Sequence, residues 1–291
     1  MDSIKTVAVA GCGTMGVGIA IVAARAGFQT LVFDSNQAAL SRFKEQSEKF
    51  FEASVAKGKL SSSALPEVLG RFKTCSDLDE LSSADIVIEA IFEELSVKNA
   101  LFLRLNEVCS PHTIFASNTS TISISEIAGG SGRDDRVVGM HFCLPAPLMK
   151  LVEMSPGLNT SNATFNAAWN FCEALGQTPV KTKDSPGFIL NYFLIPFHNN
   201  VIRMVDAGIA EPRDIDTAIK VGMGYAMGPM QLLDLVGMDT QKLLSEAMVD
   251  LTHEPDAECP ALVRRMIAAG RLGKKSGRGF YQYENTKIFG A

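Results

Sequence analysis

The sequence predicts an α/β fold: a doubly wound, mostly parallel sheet followed by a second domain made only of helices. Up to about Asp184, short apolar runs rich in β-branched residues alternate with helical patterns, which is typical of parallel strands joined by helical crossovers. A glycine-rich turn directly follows the first run. From Ser185 onward the β pattern disappears and only helical spacing remains. We therefore place a first domain at residues 1–184 and a second at 185–291, joined by residues 183–187.

The strands of the first domain are predicted from short apolar runs bounded by polar or turn-forming residues. They cover residues 6–10, 30–33, 86–88 and 113–116, with a further strand near Phe72. Two later runs, 137–142 and 150–154, are separated by a turn that contains two prolines. We expect these two runs to pair as strand, turn and strand at the edge of the sheet.

One crossover is longer than the sheet requires. More than thirty residues separate Asp34 from the strand near Phe72, and helical spacing covers about 37–57 and resumes after Ser63. The surplus predicts a projecting helical hairpin, about residues 36–70, which would form a wall over a long substrate. In the second domain, helices are predicted at 188–206, from 211, at 229–251 and at 261–269.

Composition argues against several classes of protein. The chain has 291 residues and a formal net charge of −5, and it has no basic tract that would follow a phosphate backbone. No apolar run approaches the ~18 residues that span a bilayer. Residues 1–5 lead directly into the first apolar run, which leaves no room for a signal peptide. We expect a cytoplasmic protein that binds neither nucleic acid nor membrane.

The cysteines and histidines do not form a metal-binding pattern. The six cysteines are scattered without a Cys-x-x-Cys pair, so reduced thiols in an intracellular compartment are expected. The four histidines have no metal-ligand spacing, and we expect no metal site. They leave a short set of candidates for a general base.

The glycine-rich turn reads G-x-G-x-x-G and opens a helix, as in a Rossmann-type dinucleotide site. Gly11 would permit the tight turn, Gly13 would let a pyrophosphate approach the backbone, and Gly16 would let helix and strand pack closely. The free N–H groups of residues 14–16 are expected to face the phosphates. Asp34 ends the second strand, eighteen residues after Gly16. A carboxylate there would bind the ribose hydroxyls and repel a 2′-phosphate, so NAD is expected rather than NADP.

His141 is the strongest candidate for chemistry, because it emerges from the carboxyl end of a strand, where open α/β sheets bind ligands. A histidine there would take the proton of a hydroxyl group while hydride leaves the same carbon. Glu153 follows twelve residues later, across the turn, so that strand pairing would bring the two side chains face to face. The carboxylate would then fix the imidazole tautomer and stabilise the imidazolium. A loop histidine and a solvent-facing glutamate are the alternatives.

Two further polar groups remain ambiguous on sequence grounds. Ser117-Asn118-Thr119-Ser120 follows a strand end, and its polar groups would either project toward a ligand or cap a helix or form a turn. Asn191 lies inside an apolar helical stretch, where it would hydrogen-bond either a neighbouring element or a substrate oxygen.

Long stretches of the chain resemble one known family in the same order. They are GCGTMGVGIA, IVIEAIFEELSVKNALF, ASNTSTISI, GMHFCLPAPLMKLVE, DSPGFILN, DIDTAIKVGMGYAMGPMQLLDLVGMD and LGKKSGRGFYQY. The sequence is thus similar, over nearly its whole length, to the short-chain L-3-hydroxyacyl-CoA dehydrogenases, including bacterial 3-hydroxybutyryl-CoA dehydrogenases. The resemblance implies reversible NAD-dependent oxidation of an (S)-3-hydroxyacyl-CoA in fatty acid β-oxidation. It also implies a second domain that contributes to the substrate cleft and forms a homodimer.

The resemblance also implies roles for individual residues. His141 is the implied base with Glu153 as its partner, and Ser120 and Asn191 would hold the reacting oxygen and the substrate. Lys57, on the hairpin, falls where the family uses a lysine against CoA. The implied NAD contacts are Gly11, Cys12, Gly13, Thr14, Met15, Gly16, Asp34, Glu93, Lys98, Ser120 and Lys275. From residue type alone, Lys98 and Lys275 would be ordinary solvated lysines.

Three positions depart from the family pattern. Leu144 replaces an amide that lies near nicotinamide and substrate in the family, Tyr192 replaces an arginine, and Ala226 replaces a proline. Two other functions therefore stay open: a dehydrogenase of small hydroxy acids without CoA, as in the related gulonate dehydrogenases, and a non-catalytic NAD-binding protein, as among crystallin relatives.

Overall fold

The computed structural model describes residues 4–283, which divide between Ser185 and Pro186 into two compact units. The division falls one residue after the boundary placed at 184. The expectation that no leader precedes the fold depends partly on residues 1–3, which lie outside the described residues, as do residues 284–291.

The first unit contains an eight-stranded sheet with the strand order β3-β2-β1-β4-β5-β6-β7-β8. Six of its neighbouring strand pairs are parallel and the β6–β7 pair is antiparallel, which confirms the doubly wound, mostly parallel sheet. The strands are β1 (Thr6–Ala10), β2 (Gln29–Phe33), β3 (Phe72–Cys75), β4 (Ile86–Glu89), β5 (Ile114–Ser117), β6 (Val137–Phe142), β7 (Leu151–Pro156) and β8 (Thr178–Lys181).

Helices cover the sheet because the apolar strands need burial on both faces. They are α1 (Thr14–Arg25), α2 (Gln37–Ala56), α3 (Leu65–Leu69), α4 (Leu95–Val108), α5 (Ile124–Gly130) and α6 (Asn162–Ala174). Polar side chains cap the N-termini of three of them. The Asn36 side chain accepts from the N–H of the second residue of α2, that of Ser123 from the N–H of Glu126 in α5, and that of Ser161 from the N–H of Thr164 in α6. Because β1, β4 and β5 are parallel, their carboxyl ends lie at the same edge of the sheet.

The expectation that β6 and β7 form the edge of the sheet is wrong, because β8 pairs with the far side of β7. Its four residues, Thr-Pro-Val-Lys, include Pro179 and alternate poorly, so the sequence pattern gave no strand signal. Proline is tolerated at this place because β8 is itself the edge strand. Strand β7 is therefore hydrogen-bonded to a neighbouring strand on both of its edges.

The long crossover between β2 and β3 consists of α2, a short 3-10 turn and α3. Leu40, Phe43 and Phe51 on one face of α2 belong to the main core, together with Val68 of α3. Helix α2 is thus anchored along most of its length. Lys57, the C-cap residue that follows the helix, is exposed.

The described part of the second unit contains five α-helices and no named strand. They are α7 (Leu190–Asp206), α8 (Pro212–Met223), α9 (Pro229–Val236), α10 (Met238–Thr252) and α11 (Ala261–Ala268). The continuous helical stretch predicted at 229–251 is wrong: Gly237, with φ 101°, separates α9 from α10. A separate core holds the unit together, with Ile202, Met230 and Val263 fully buried. Among residues 4–283, no helix has both the length and the apolar composition to cross a membrane.

Candidate active site

The glycine turn connects β1 to α1 and is tightly packed on its inner side. Gly11 adopts φ +107°, and a Cβ atom there would lie 2.5 Å from the carbonyl oxygen of Ala90. A Cβ atom at Gly16 would lie 1.8 Å from the carbonyl oxygen of Gly11, so Gly16 is required by the turn itself more than by the strand. At Gly13, in contrast, a Cβ atom would meet no protein atom within 4 Å. Of these three glycines, only Gly13, beside the N-terminus of α1, has open space at its Cβ position.

Asp34, at the end of β2, lies beside the glycine turn. Its carboxylate accepts hydrogen bonds from the backbone N–H of Cys12 at 2.7 Å and of Asn36 at 2.8 Å. Two oxygens provide about four acceptor positions, so capacity remains for hydroxyl groups of a ligand. Burial, reinforced by the charge of Asp34, raises the pKa of the Cys12 thiol to about 12, which keeps this thiol protonated. Cys12 therefore contributes its backbone N–H to the turn, and its thiol does not act as a thiolate.

The turn and its neighbours fit a dinucleotide. The accessible backbone at Gly13 admits a close ligand, the N-terminal N–H groups of α1 favour a pyrophosphate, and Asp34 supplies the acceptor for ribose. Gly13 is the N-cap of α1 and offers no side chain that would occupy the N–H groups of Thr14, Met15 and Gly16.

Three charged side chains, Glu89, Glu93 and Lys98, form what we call the edge charge cluster. Lys98 Nζ lies 2.6 Å from Glu89 Oε1 and 3.1 Å from Glu93 Oε2. Lys98 is 1% exposed and Glu89 is fully buried, so the reading of Lys98 as a solvated lysine is wrong. A buried ammonium group needs such partners, because desolvation strongly disfavours an unpaired charge.

Glu93 links this cluster to the segment that follows β5. Its Oε1 accepts from the Thr119 hydroxyl, from the Ser120 N–H at 3.0 Å and from the Thr121 hydroxyl at 3.1 Å. Desolvation alone would raise the pKa of the Glu93 carboxyl, but the charge of Lys98 and the hydrogen bond from Thr119 lower it below its usual value. Glu93 is therefore held as a carboxylate, and it fixes the backbone at Ser120.

Asn118 joins the ends of β4, β5 and β6. Its backbone N–H donates to the carbonyl of Glu89 at 2.9 Å, and its side-chain Oδ1 accepts from the N–H of Phe142 at 2.9 Å. Since Phe142 directly follows His141, the segment after β5 is tied to the strand that carries the candidate base. The side chains of Asn118 and Thr119 thus hydrogen-bond other segments of the chain, which neither of the two interpretations of residues 117–120 describes.

His141 and Glu153 lie opposite each other in the antiparallel pairing of β6 and β7, as predicted. His141 Nδ1 lies 2.8 Å from Glu153 Oε2. The side chain of Glu153 is 1% exposed and that of His141 is 14% exposed. A buried carboxylate at Nδ1 favours the tautomer with the proton on Nδ1 and the lone pair on Nε2. This is the arrangement of a histidine base with a carboxylate partner.

The turn between β6 and β7 rests on α1. The Arg25 side chain donates to the carbonyl of Pro147 at 3.1 Å. At Gly18, a Cβ atom would lie 3.1 Å from Pro147 Cδ and 3.2 Å from Ala146 Cβ, which is close packing. Leu144, in the same turn, is 44% exposed, so the position where the family has an amide presents an apolar surface here.

The remaining candidate residues belong to other elements of the chain. Asn191 is the second residue of α7 in the second unit. Lys275, also in the second unit, pairs with Asp239 and donates to its Oδ2 at 2.7 Å. Lys57 is the C-cap of α2 in the first unit. In the part of the chain that the structure describes, no group of three or more His, Cys, Asp or Glu side chains is arranged to hold a metal ion.

Sequence reasoning missed Glu89 and the buried role of Ser117. Ser117 donates to Glu89 Oε2 at 2.6 Å, and both side chains are 0% exposed. A usable signal was present, because a glutamate ends the apolar run Ile-Val-Ile-Glu at a strand terminus and a lysine follows nine residues later. An acidic residue in such a run indicates a buried, paired charge.

Comparisons with known proteins agree with this geometry. The sequence model described as "3-hydroxyacyl-CoA dehydrogenase, NAD binding domain" matches residues 6–185, and that described as "3-hydroxyacyl-CoA dehydrogenase, C-terminal domain" matches residues 187–283. The chain is 44% identical to a probable 3-hydroxybutyryl-CoA dehydrogenase of Bacillus subtilis, over 97% of this chain and 98% of the relative.

Solved structures give the same result. The crystal structure of M. tuberculosis FadB2 has a TM-score of 0.95 and 40% identity, and it covers 97% of this chain and 100% of that one. The (S)-3-hydroxybutyryl-CoA dehydrogenase PaaH1 from Ralstonia eutropha has a TM-score of 0.91 and 37% identity, and it covers 97% of this chain and 100% of that one. Fold, glycine turn, strand register and sequence similarity over nearly the full length thus agree, and the chain belongs to the 3-hydroxyacyl-CoA dehydrogenase family.

Proposed function

We propose that this protein is an NAD-dependent dehydrogenase that reversibly oxidises the 3-hydroxyl group of an (S)-3-hydroxyacyl-CoA to a 3-oxoacyl-CoA. The observation that carries the proposal is the 2.8 Å contact between His141 Nδ1 and the buried Glu153 Oε2, at the same end of the sheet as the glycine turn. The thioester substrate and its handedness are supported by the names of the relatives from B. subtilis and R. eutropha.

His141 is the proposed general base. With the proton on Nδ1 held by Glu153, the Nε2 lone pair accepts the proton of the substrate hydroxyl as the C3–H bond breaks. NAD, when bound, supplies the acceptor for the hydride that leaves C3. The imidazolium that forms is stabilised by the adjacent carboxylate, and in the reverse reaction it returns the proton to the oxygen.

The other residues have proposed roles in binding. Gly11 to Gly16 and Asp34 would hold the pyrophosphate and the ribose, while Glu93 and Ser120 would line the carboxyl edge of the sheet beside NAD. Lys98, which is buried, would act on NAD through its ion pair with Glu93. Ser120 and Asn191 are proposed to hydrogen-bond the substrate. Lys57 is proposed to contact CoA and Lys275 to contact NAD; these two assignments derive from the family resemblance.

We also propose a homodimer formed through the helical unit, a role in fatty acid β-oxidation and a cytoplasmic location. Large apolar side chains are exposed on the second unit, among them Phe193 at 67% and Val221 at 82%, which is the kind of surface that a partner subunit covers. The six cysteines are buried free thiols, in keeping with a reducing compartment.

The test compares substrates in the direction of oxidation. NADH formation is followed by absorbance with (S)- and (R)-3-hydroxybutyryl-CoA, with free 3-hydroxybutyrate and with gulonate, each with NAD and with NADP. The proposal expects activity with the (S)-thioester and NAD. Preference for a free hydroxy acid would instead support a dehydrogenase without CoA, for which the apolar Leu144 is the relevant departure. NADH binding without activity on any of these substrates would support a non-catalytic relative.

A further inference from the structure

Glu89 is a buried carboxylate to which the proposed reaction gives no direct role. It ends β4, and in the sheet register it lies opposite Ala10 of β1 and Ser117 of β5. Because it is 0% exposed, its side chain lies beneath the surface that a bound cofactor would touch. It nevertheless occupies the place in the sheet where the glycine turn leaves β1.

The carboxylate of Glu89 holds three separate segments of the chain. Oε1 accepts from Lys98 Nζ of α4 at 2.6 Å and from the backbone N–H of Ile91 at 2.8 Å. Oε2 accepts from the hydroxyl of Ser117 at 2.6 Å. The donors thus come from α4, from the loop after β4 and from the end of β5. One side chain fixes all three relative to the sheet.

Each of these segments leads to a group at the surface of the edge. Lys98 also pairs with Glu93, which holds the Ser120 N–H. The Ser117 hydroxyl accepts from the Thr119 N–H at 3.3 Å. The loop that contains Ile91 places the Ala90 carbonyl against Gly11. The contacts of Glu89 with Lys98 and Ile91 therefore lead to Glu93 and to Gly11 of the proposed NAD site, and its contact with Ser117 leads to Thr119, the neighbour of Ser120.

We infer that Glu89 is a positioning residue for the cofactor: through Lys98, Ser117 and Ile91 it keeps Glu93, Ser120 and the glycine turn in the arrangement that binds NAD. The inference rests on the proposed function. Burying a carboxylate and an ammonium group costs more than an apolar pair of the same size, so stability alone gives little reason for a charged pair here. A charge-assisted network does restrict geometry, because its short hydrogen bonds tolerate little movement.

The principal test is Glu89→Gln, which keeps the size of the side chain and removes its charge. Loss of a hydrogen bond to a charged group is expected to raise the Kd for NADH about tenfold, measured by NADH fluorescence. The KM for NAD should rise in parallel, while kcat and the KM for the acyl-CoA stay within about twofold of the wild type. An unchanged Kd for NADH, or a fall in kcat with no change in KM for NAD, would overturn the inference.

A matched pair of variants separates positioning from general stability. Ser117→Ala and Thr113→Val each remove one buried hydroxyl; Ser117 ends β5 and Thr113 directly precedes it. Ser117 donates to Glu89, and Thr113 donates to the carbonyl of Ala84 at 2.7 Å. Both should lower Tm by a similar amount, but only Ser117→Ala should weaken NADH binding, by about threefold to tenfold. Equal losses of NADH affinity in both variants would reduce Glu89 to a structural role.

This pair also decides the question if Glu89→Gln does not fold. NADH binding by the wild-type chain distinguishes a failure of the inference about Glu89 from a failure of the proposed function. Wild-type binding of NADH, with undiminished binding by Ser117→Ala, contradicts the inference and leaves the proposed function standing. If the wild-type chain binds no NADH, the proposed function fails and the inference fails with it.

Discussion

The glycine turn and the β6–β7 hairpin belong to the same sheet, yet they are built in opposite ways. The turn relies on backbone and on the absence of side chains: Gly11 and Gly16 leave no room for a Cβ atom, and Gly13 is open. The hairpin relies on two side chains, His141 and Glu153, brought together by strand register. Because the two regions use different parts of the chain, we expect cofactor binding and proton transfer to be altered separately by mutation. Changes at the turn should affect cofactor affinity, and changes at the hairpin should affect turnover.

His141→Ala gives the largest expected effect and tests the separation most severely. Removing the general base should lower kcat by about 100-fold or more, while the Kd for NADH stays within about twofold of the wild type. Steady-state kinetics and NADH fluorescence measure the two quantities. Near-normal turnover would remove His141 from the mechanism, and an equal loss of NADH affinity would show that the two regions are not separable.

Glu153→Gln should have the next largest effect, a fall in kcat of about 10-fold to 100-fold. The amide can still hydrogen-bond His141, but it no longer stabilises the imidazolium or enforces one tautomer. Because Glu153 is buried, circular dichroism should accompany the kinetics, to show that β6 and β7 remain folded. A variant with intact folding and unchanged kcat would mean that Glu153 is only a structural residue.

Gly13→Ala, in the glycine turn, should weaken cofactor binding without lowering the stability of the protein. Its Cβ atom would meet no protein atom within 4 Å, so Tm should be unchanged, while obstruction of the pyrophosphate should raise the Kd for NADH about tenfold. Gly16→Ala is the contrasting variant, since its Cβ atom would lie 1.8 Å from the Gly11 carbonyl oxygen and should lower Tm as well. Normal NADH binding by Gly13→Ala would contradict the proposed use of the turn.

Arg25→Met should have the smallest effect on kinetics and binding. It tests whether the glycine turn and the β6–β7 hairpin influence each other. Arg25 lies on the helix that begins at the glycine turn, and its side chain holds the β6–β7 turn at Pro147. Loss of this one hydrogen bond, worth about 1 kcal/mol, should raise the KM for the acyl-CoA by roughly threefold, with the Kd for NADH nearly constant. A large fall in NADH affinity would instead place Arg25 with the cofactor turn.

The same contrast explains which features could be predicted from sequence. The glycine turn is local, since six consecutive residues after a strand contain the signal, and the Asp34 position follows from the next strand. The His141–Glu153 pair was predictable because side chains alternate along strands and a two-proline turn reverses the chain. In both cases the geometry depends on short segments.

Features that depend on distant segments were not predictable. In the sequence, Lys98 has the pattern of an ordinary exposed helical lysine, and its burial depends on the ion pair with Glu89 of β4. Strand β8 contains Pro179 and has polar residues, Thr178 and Lys181, at its two ends, and only its position beside β7 makes it a strand. The break at Gly237 depends on a positive φ angle in a stretch whose apolar spacing continues on both sides. In each case, tertiary contacts rather than local pattern determine the outcome.

The most direct test of the account is NADH oxidation, followed by absorbance, with acetoacetyl-CoA and free acetoacetate supplied separately to the wild-type chain. The account predicts rapid turnover of the thioester and little or none of the free acid. No turnover of either compound, despite measurable NADH binding, would contradict the assignment of this site to 3-hydroxyacyl-CoA oxidation.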